Sequence, residues 1–76
     1  MKPQQLESRV SGRIRELRHL RGLSQTELAN KIGCQKPHVS DLERGVKSPG
    51  IATIAKLAEA LEVEPEELFS ESLQIA

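Results

Sequence analysis

At 76 residues the chain can bury one core of short helices, but it cannot build two layers around a deep catalytic cleft. Phe69 is its only aromatic residue, which removes the stacking platforms used for unpaired bases and makes single-stranded RNA or DNA a weak partner. The formal net charge of zero hides an asymmetry: ten of the eleven Lys and Arg residues lie in positions 1–47 beside five acids, while the remainder sets Lys56 against six Glu. That division suits a basic face for a polyanion and an acidic face held away from it, or simply solvated helix surfaces.

Met1 to Glu7, with Pro3 and two glutamines, reads as a frayed arm. Leu6, Val10, Ile14 and Leu17 then recur at three- and four-residue steps, which predicts a first helix over about Leu6–Arg21, closed by Gly22. Ser24 and Glu27 have the spacing of a capping box, each side chain bonding the other's backbone N–H, and Leu23 and Leu28 can staple together across that cap. The second helix is predicted over about Gln25–Ile32, with Leu28, Ala29 and Ile32 inward and Gly33 at its end.

The third helix begins near Gln35 or Lys36, where Pro37 is tolerated because first-turn N–H groups lack intrahelical partners, and it stops at Gly45. Val39 and Leu42 alone can seat it on a core, leaving Gln35, Lys36, His38, Ser40, Asp41 and Arg44 outward. So polar a helix is usually holding something other than its own protein. A loop over Val46 to Gly50, punctuated by Pro49, leads to a fourth helix, Ile51–Leu61, expected to bury Ile51, Ile54, Leu57, Ala58 and Leu61. Pro65 opens a short fifth helix whose first turn holds Glu66 and Glu67, after which Leu68 and Phe69 can return to the core. Residues 70–76 form a tail that either frays or packs on a partner. No run alternates with period two, so the chain reads as all-α: a single domain over 1–76, a five-helix bundle with its core over about 6–69.

Catalysis fits poorly. His38, Ser40 and Asp41 supply the groups of a triad, but within four positions of one helix they point in different directions. No cofactor is implied. Cys34 and His38 stand at i, i+4, yet a structural zinc site needs four ligands and His19 is the one other candidate, so no metal is expected. Cys34 has no disulfide partner and no stretch resembles a signal peptide or membrane span, which points to the cytoplasm. It is either a space filler in the turn or, exposed beside Lys36, a redox sensor.

A helix-turn-helix works by laying one helix across the DNA backbone so that the next is propped into the major groove. The segments LSQTELANKIG, HVSDLERGVKSP, and IATIAKLAEALEV followed by PEELF, in this order and spacing over roughly Val10 to Phe69, resemble the phage repressor and Cro type of helix-turn-helix proteins, also called the xenobiotic-response-element type. The resemblance implies a lambda-repressor-like DNA-binding fold, with Gln35, Lys36, Pro37, Ser40 and Asp41 facing bases. Gln35 could address adenine, Lys36 guanine O6 or N7, and Pro37 a thymine methyl. Two roles stay open for Asp41: accepting from cytosine N4, or pairing with Lys36 or Arg44 within the helix.

Ser24 and Gln25, at a helix start where free N–H groups favour an anion, are expected at phosphates, flanked by Arg44 and Lys47. By resemblance His38 joins them. The same resemblance implies a salt bridge between Arg18 and Glu43. Arg9, Arg13, Arg15 and Arg21 enrich the first helix in charge, but their directions diverge and only some can face DNA. Two departures from the family pattern are the Lys36–Pro37 pair, which removes a side-chain donor from the reading face, and Cys34 in the turn.

These features lead to the expectation of a sequence-specific regulator of transcription bound to double-stranded DNA. One helix reads too few bases to discriminate, so a homodimer on a two-fold-related operator is expected, with Val63, Leu68, Phe69, Leu73 and Ile75 as its interface. Burial within one chain accounts equally well for Val63, Leu68 and Phe69. The alternative is a protein-interaction module, an antitoxin or an adaptor, whose acidic C-terminal half binds a basic toxin or another regulator.

Overall fold

Four α-helices and a closing 3-10 turn surround one apolar core in the computed structural model, which describes residues 3–69 and, of their side chains, those from residue 9 onward. The helices are α1 (Pro3–Leu20), α2 (Gln25–Ile32), α3 (Lys36–Glu43) and α4 (Ile51–Leu61), followed by the 3-10 turn Pro65–Phe69. Among the described residues there is no strand. Val10, Ile14 and Leu17 of α1, Leu28, Ala29 and Ile32 of α2, Val39 and Leu42 of α3, Leu57, Ala58 and Leu61 of α4, and Leu68 form the core. Leu23, Cys34, Ile54, Ala60 and Val63 pack on its margin.

The caps explain where the helices stop and start. At the head of α2, Glu27 N–H donates to Ser24 Oγ at 3.0 Å and Ser24 N–H to Glu27 Oε1 at 2.8 Å. At its end Gly33 adopts φ 77°, ψ 33°, a left-handed geometry open to a residue without Cβ, and this turns the chain into α3 within a few residues. The end of α4 uses the same geometry without glycine: Glu62 has φ 59°, ψ 45°.

The structure corrects four sequence expectations. α1 starts at Pro3, not near Leu6 after a frayed arm; proline suits the first helical position, and the Gln, Leu and Glu that follow favour helix. The predicted fifth helix is a 3-10 turn of five residues, with Glu67 N–H bonded to the Glu64 carbonyl, because one short turn tightens to i, i+3 bonding. Ile51, expected inside, is 91% exposed. Helical side chains lean toward the N-terminus, so that of the first residue projects past the helix end instead of lying on a preceding turn. Leu68, offered for a dimer interface, is fully buried in its own chain's core, where the 3-10 turn packs on α1 and α4. Leu73, Ile75 and the tail lie outside the described residues.

Candidate nucleic-acid interface

The α2–α3 unit is fastened from within. Leu28, Ala29 and Ile32 on one helix and Val39 and Leu42 on the other are buried, and the small Ala29 lets the two backbones approach. The opposite side of α3 remains for outside contacts: Gln35, Lys36, Pro37, Arg44 and, in the following loop, Lys47 are exposed, while His38, Ser40 and Asp41 are half-buried. Gln35 is the N-cap of α3 but makes no side-chain cap bond, so its amide is not consumed by the helix start.

A buried ion pair sets the attitude of that helix. Arg18 Nε donates to Glu43 Oε2 at 2.6 Å and Arg18 Nη2 to Glu43 Oε1 at 3.0 Å, a two-point pairing that links the last turn of α1 to the last residue of α3. Arg18 Nη1 also donates to the Leu23 carbonyl at 2.9 Å. Arg18 Nη2 lies 3.1 Å from His19 Nε2; because guanidinium only donates, that nitrogen acts as the acceptor. Gln25 Nε2 donates to Glu43 Oε1 at 3.1 Å, bringing the first residue of α2 onto the same carboxylate. The Gln25 side chain is therefore turned inward, and an anion at this helix start would meet backbone N–H groups. The Ser24 hydroxyl accepts from Glu27 and keeps its own proton to donate.

Asp41 is paired with cations following it in sequence. Arg44 Nη2 lies 2.5 Å from Oδ1 and Lys47 Nζ 3.9 Å from Oδ2. Of the partners the sequence offered, Arg44 holds this place. Lys47 is an addition that helix spacing could not supply, since it lies in the loop beyond α3.

Two of the four arginines weighed for DNA are held by the fold. Arg13, 5% exposed, donates from Nε to the Glu67 carbonyl and pairs with Glu16. Arg21 caps α4, donating to the carbonyls of Leu61 and Glu62. Of the four arginines weighed for DNA, Arg15 is exposed and Arg9 half-buried. No local signal marks the bonds by which Arg13 and Arg21 hold distant carbonyls, because Glu67 and Leu61 lie 54 and 40 residues away.

Two groups carry shifted acidity. The Ser24 backbone N–H, aided by the Ser24 hydroxyl, holds the Glu27 carboxyl below the usual carboxylate range. Burial pushes the Cys34 thiol up, with Lys56 opposing, which makes it a poorer nucleophile at neutral pH and favours the space-filling role over redox sensing. Among the described residues no three His, Cys, Asp or Glu side chains are grouped so as to hold a metal ion. Val63 is half-buried against the core, and Phe69 is 44% exposed.

Comparison with known proteins matches residues 14–68 to a helix-turn-helix family model. The cryptic phage CTXphi transcriptional repressor RstR of Vibrio cholerae is 44% identical over 62 residues, covering 82% of this chain and 56% of that protein. The restriction-modification controller protein C.AhdI of Aeromonas hydrophila superposes with a TM-score of 0.79 at 44% identity, covering 82% of this chain and 94% of that one. SinR, the master regulator for biofilm formation, crystallised in complex with DNA, gives a TM-score of 0.75 at 32% identity over 80% of this chain and 98% of its own. The chain spans about half the length of the first two curated relatives it matches, 50% and 56%.

Proposed function

The chain belongs to the Cro/C1-type, or xenobiotic-response-element, helix-turn-helix family, and from that membership we infer that it regulates transcription by binding double-stranded DNA sequence-specifically through α3. The observation that carries this reading is the division of α3 into two faces. Val39 and Leu42 are wholly buried, so the helix is anchored without using Gln35, Lys36, Pro37 or Ser40, and those four remain to meet base edges in the major groove. Arg44, Lys47, His38, Ser24 and the backbone N–H of Gln25 flank them as phosphate contacts. SinR, similar in fold, is seen with DNA, which supports the same use here.

We further propose a homodimer, since one short helix contacts too few base pairs to discriminate against a genome of competing sites. Phe69 and Val63 are its candidates among the described residues, joined by Leu73 and Ile75 beyond them. A cytoplasmic location belongs to the same proposal. No helix among the described residues is long and apolar enough to cross a membrane.

Selection from a pool of random-sequence duplexes, with the masses of free and bound protein, tests the reading. Enrichment of a two-fold-related sequence bound by two chains is the expected result, with log K falling linearly as log salt rises. Replacing Lys36 by Gln should flatten that slope by about one and relax preference at one position. Absence of enrichment would exclude sequence-specific binding.

A further inference from the structure

Asp41 stands in the last turn of α3, at the helix end where the dipole disfavours an acid. Its carbonyl accepts from the backbone N–H groups of Val46 and Lys47, which folds the loop back so that Lys47 approaches the carboxylate. Arg44 occupies the other carboxylate oxygen. The acid is sheltered, its side chain 24% exposed, while the side chains of Arg44 and Lys47 are 63% and 59% exposed. Two cations placed to meet phosphate are therefore already held by an anion within the interface.

We propose that Asp41 is a specificity-determining positioning residue: it holds Arg44 and Lys47 in ion pairs that any phosphate must displace, so that arbitrary duplex DNA is bound weakly. This inference rests on the DNA-binding reading above. When phosphates capture the two cations, the carboxylate is left facing polyanionic DNA without partners, and such a group is costly until a donor reaches it. In the major groove the donors are the exocyclic amines of cytosine and adenine. Displacement of the cations is required by every sequence, whereas relief of the stranded carboxylate depends on the sequence beside it. Discrimination arises from penalising the wrong partner as much as from rewarding the right one.

The test compares the parent protein with Asp41→Asn and Asp41→Glu by fluorescence anisotropy. The probes are a random-sequence duplex pool and the duplex that the parent protein enriches from it. Asp41→Asn should tighten binding to the random pool by about fivefold or more, with a steeper salt dependence, and gain less on the enriched duplex. The ratio between the two probes should fall. Asp41→Glu, which keeps the charge, should retain most of the restraint. On a background carrying Arg44→Gln and Lys47→Gln, adding Asp41→Asn should tighten random-pool binding clearly less than it does in the parent, because only the direct repulsion of phosphate, and no hold on two cations, is then removed.

Unchanged random-pool binding together with weakened binding to the enriched duplex would reduce Asp41 to a base reader and overturn the inference. Equal tightening on the background lacking both cations would also overturn it. Sequence-selective binding that survives in either case leaves the functional reading standing. If no protein binds duplex DNA, both fall.

Discussion

Glu62 shows how a single residue can work against its own backbone. A side chain in the left-handed region costs about 1–2 kcal/mol, and Glu62 is held there, at φ 59°, by the turn that closes α4. The Glu62 N–H bonds the α4 carbonyls, and Arg21 Nη2 donates to the Glu62 carbonyl. Glycine would relieve the strain while adding flexibility worth roughly half as much in the unfolded chain. Glu62→Gly should therefore stabilise the protein by about 0.5–1 kcal/mol, read as a higher midpoint in thermal denaturation; a lower midpoint would show that the strain is already relieved. At this scale the sequence was legible where a residue's role depends on near neighbours, as with Ser24 and Glu27. Glu62 was not, because nothing in its own chemistry distinguishes a left-handed glutamate.

At the scale of elements, α2 begins with a reciprocal cap and α3 ends with a buried pair. Hydrogen bonding from Ser24 lowers the Glu27 pKa from an ordinary value of 4.5. A depressed folded-state pKa means that the contribution is fully present above the unfolded value and is lost as pH falls through the folded one. Urea melts from neutral pH downward should thus show Glu27→Gln less stable than the parent at pH 7, with the difference closing below about pH 4.5; a gap constant with pH would remove the charged cap from the account. The Arg18–Glu43 pair belongs to a stronger class, since both side chains are largely withdrawn from water. Glu43→Ala leaves the guanidinium without its carboxylate and should cost about 3 kcal/mol. A loss below about 0.5 kcal/mol in chemical denaturation would mark the two as surface charges. The family resemblance pointed to this pair, but helical periodicity could not, because the residues stand 25 apart in sequence.

For the whole molecule, composition exaggerates the basic face. Ten cations against five acids in residues 1–47 suggest a broad positive surface, yet Arg13, Arg18 and Arg21 are spent on carbonyls and carboxylates of distant elements. A salt titration can separate the two kinds of arginine. Arg21→Gln should lower stability by about 1 kcal/mol through the lost cap on α4, while leaving the slope of log K against log salt unchanged; a flatter slope would place Arg21 at a phosphate. Apolar spacing laid out the four helices and most of the core, because periodicity is a property of each segment alone. The docking of the segments depends on long-range partners, which is why Ile51 left the core expected for it and why core and interface stayed equally open for Leu68 until the fold placed it. Leu68 fills the centre beside residues from the first helix, and the turn carrying it is fastened there by Arg13. During synthesis, then, the earlier helices can fluctuate into shape on the ribosome, but the globule cannot seal until its sixty-eighth residue has emerged. A premature stop codon shortly before that leucine would yield a polypeptide with every residue proposed to face DNA present and no stable body on which to mount them.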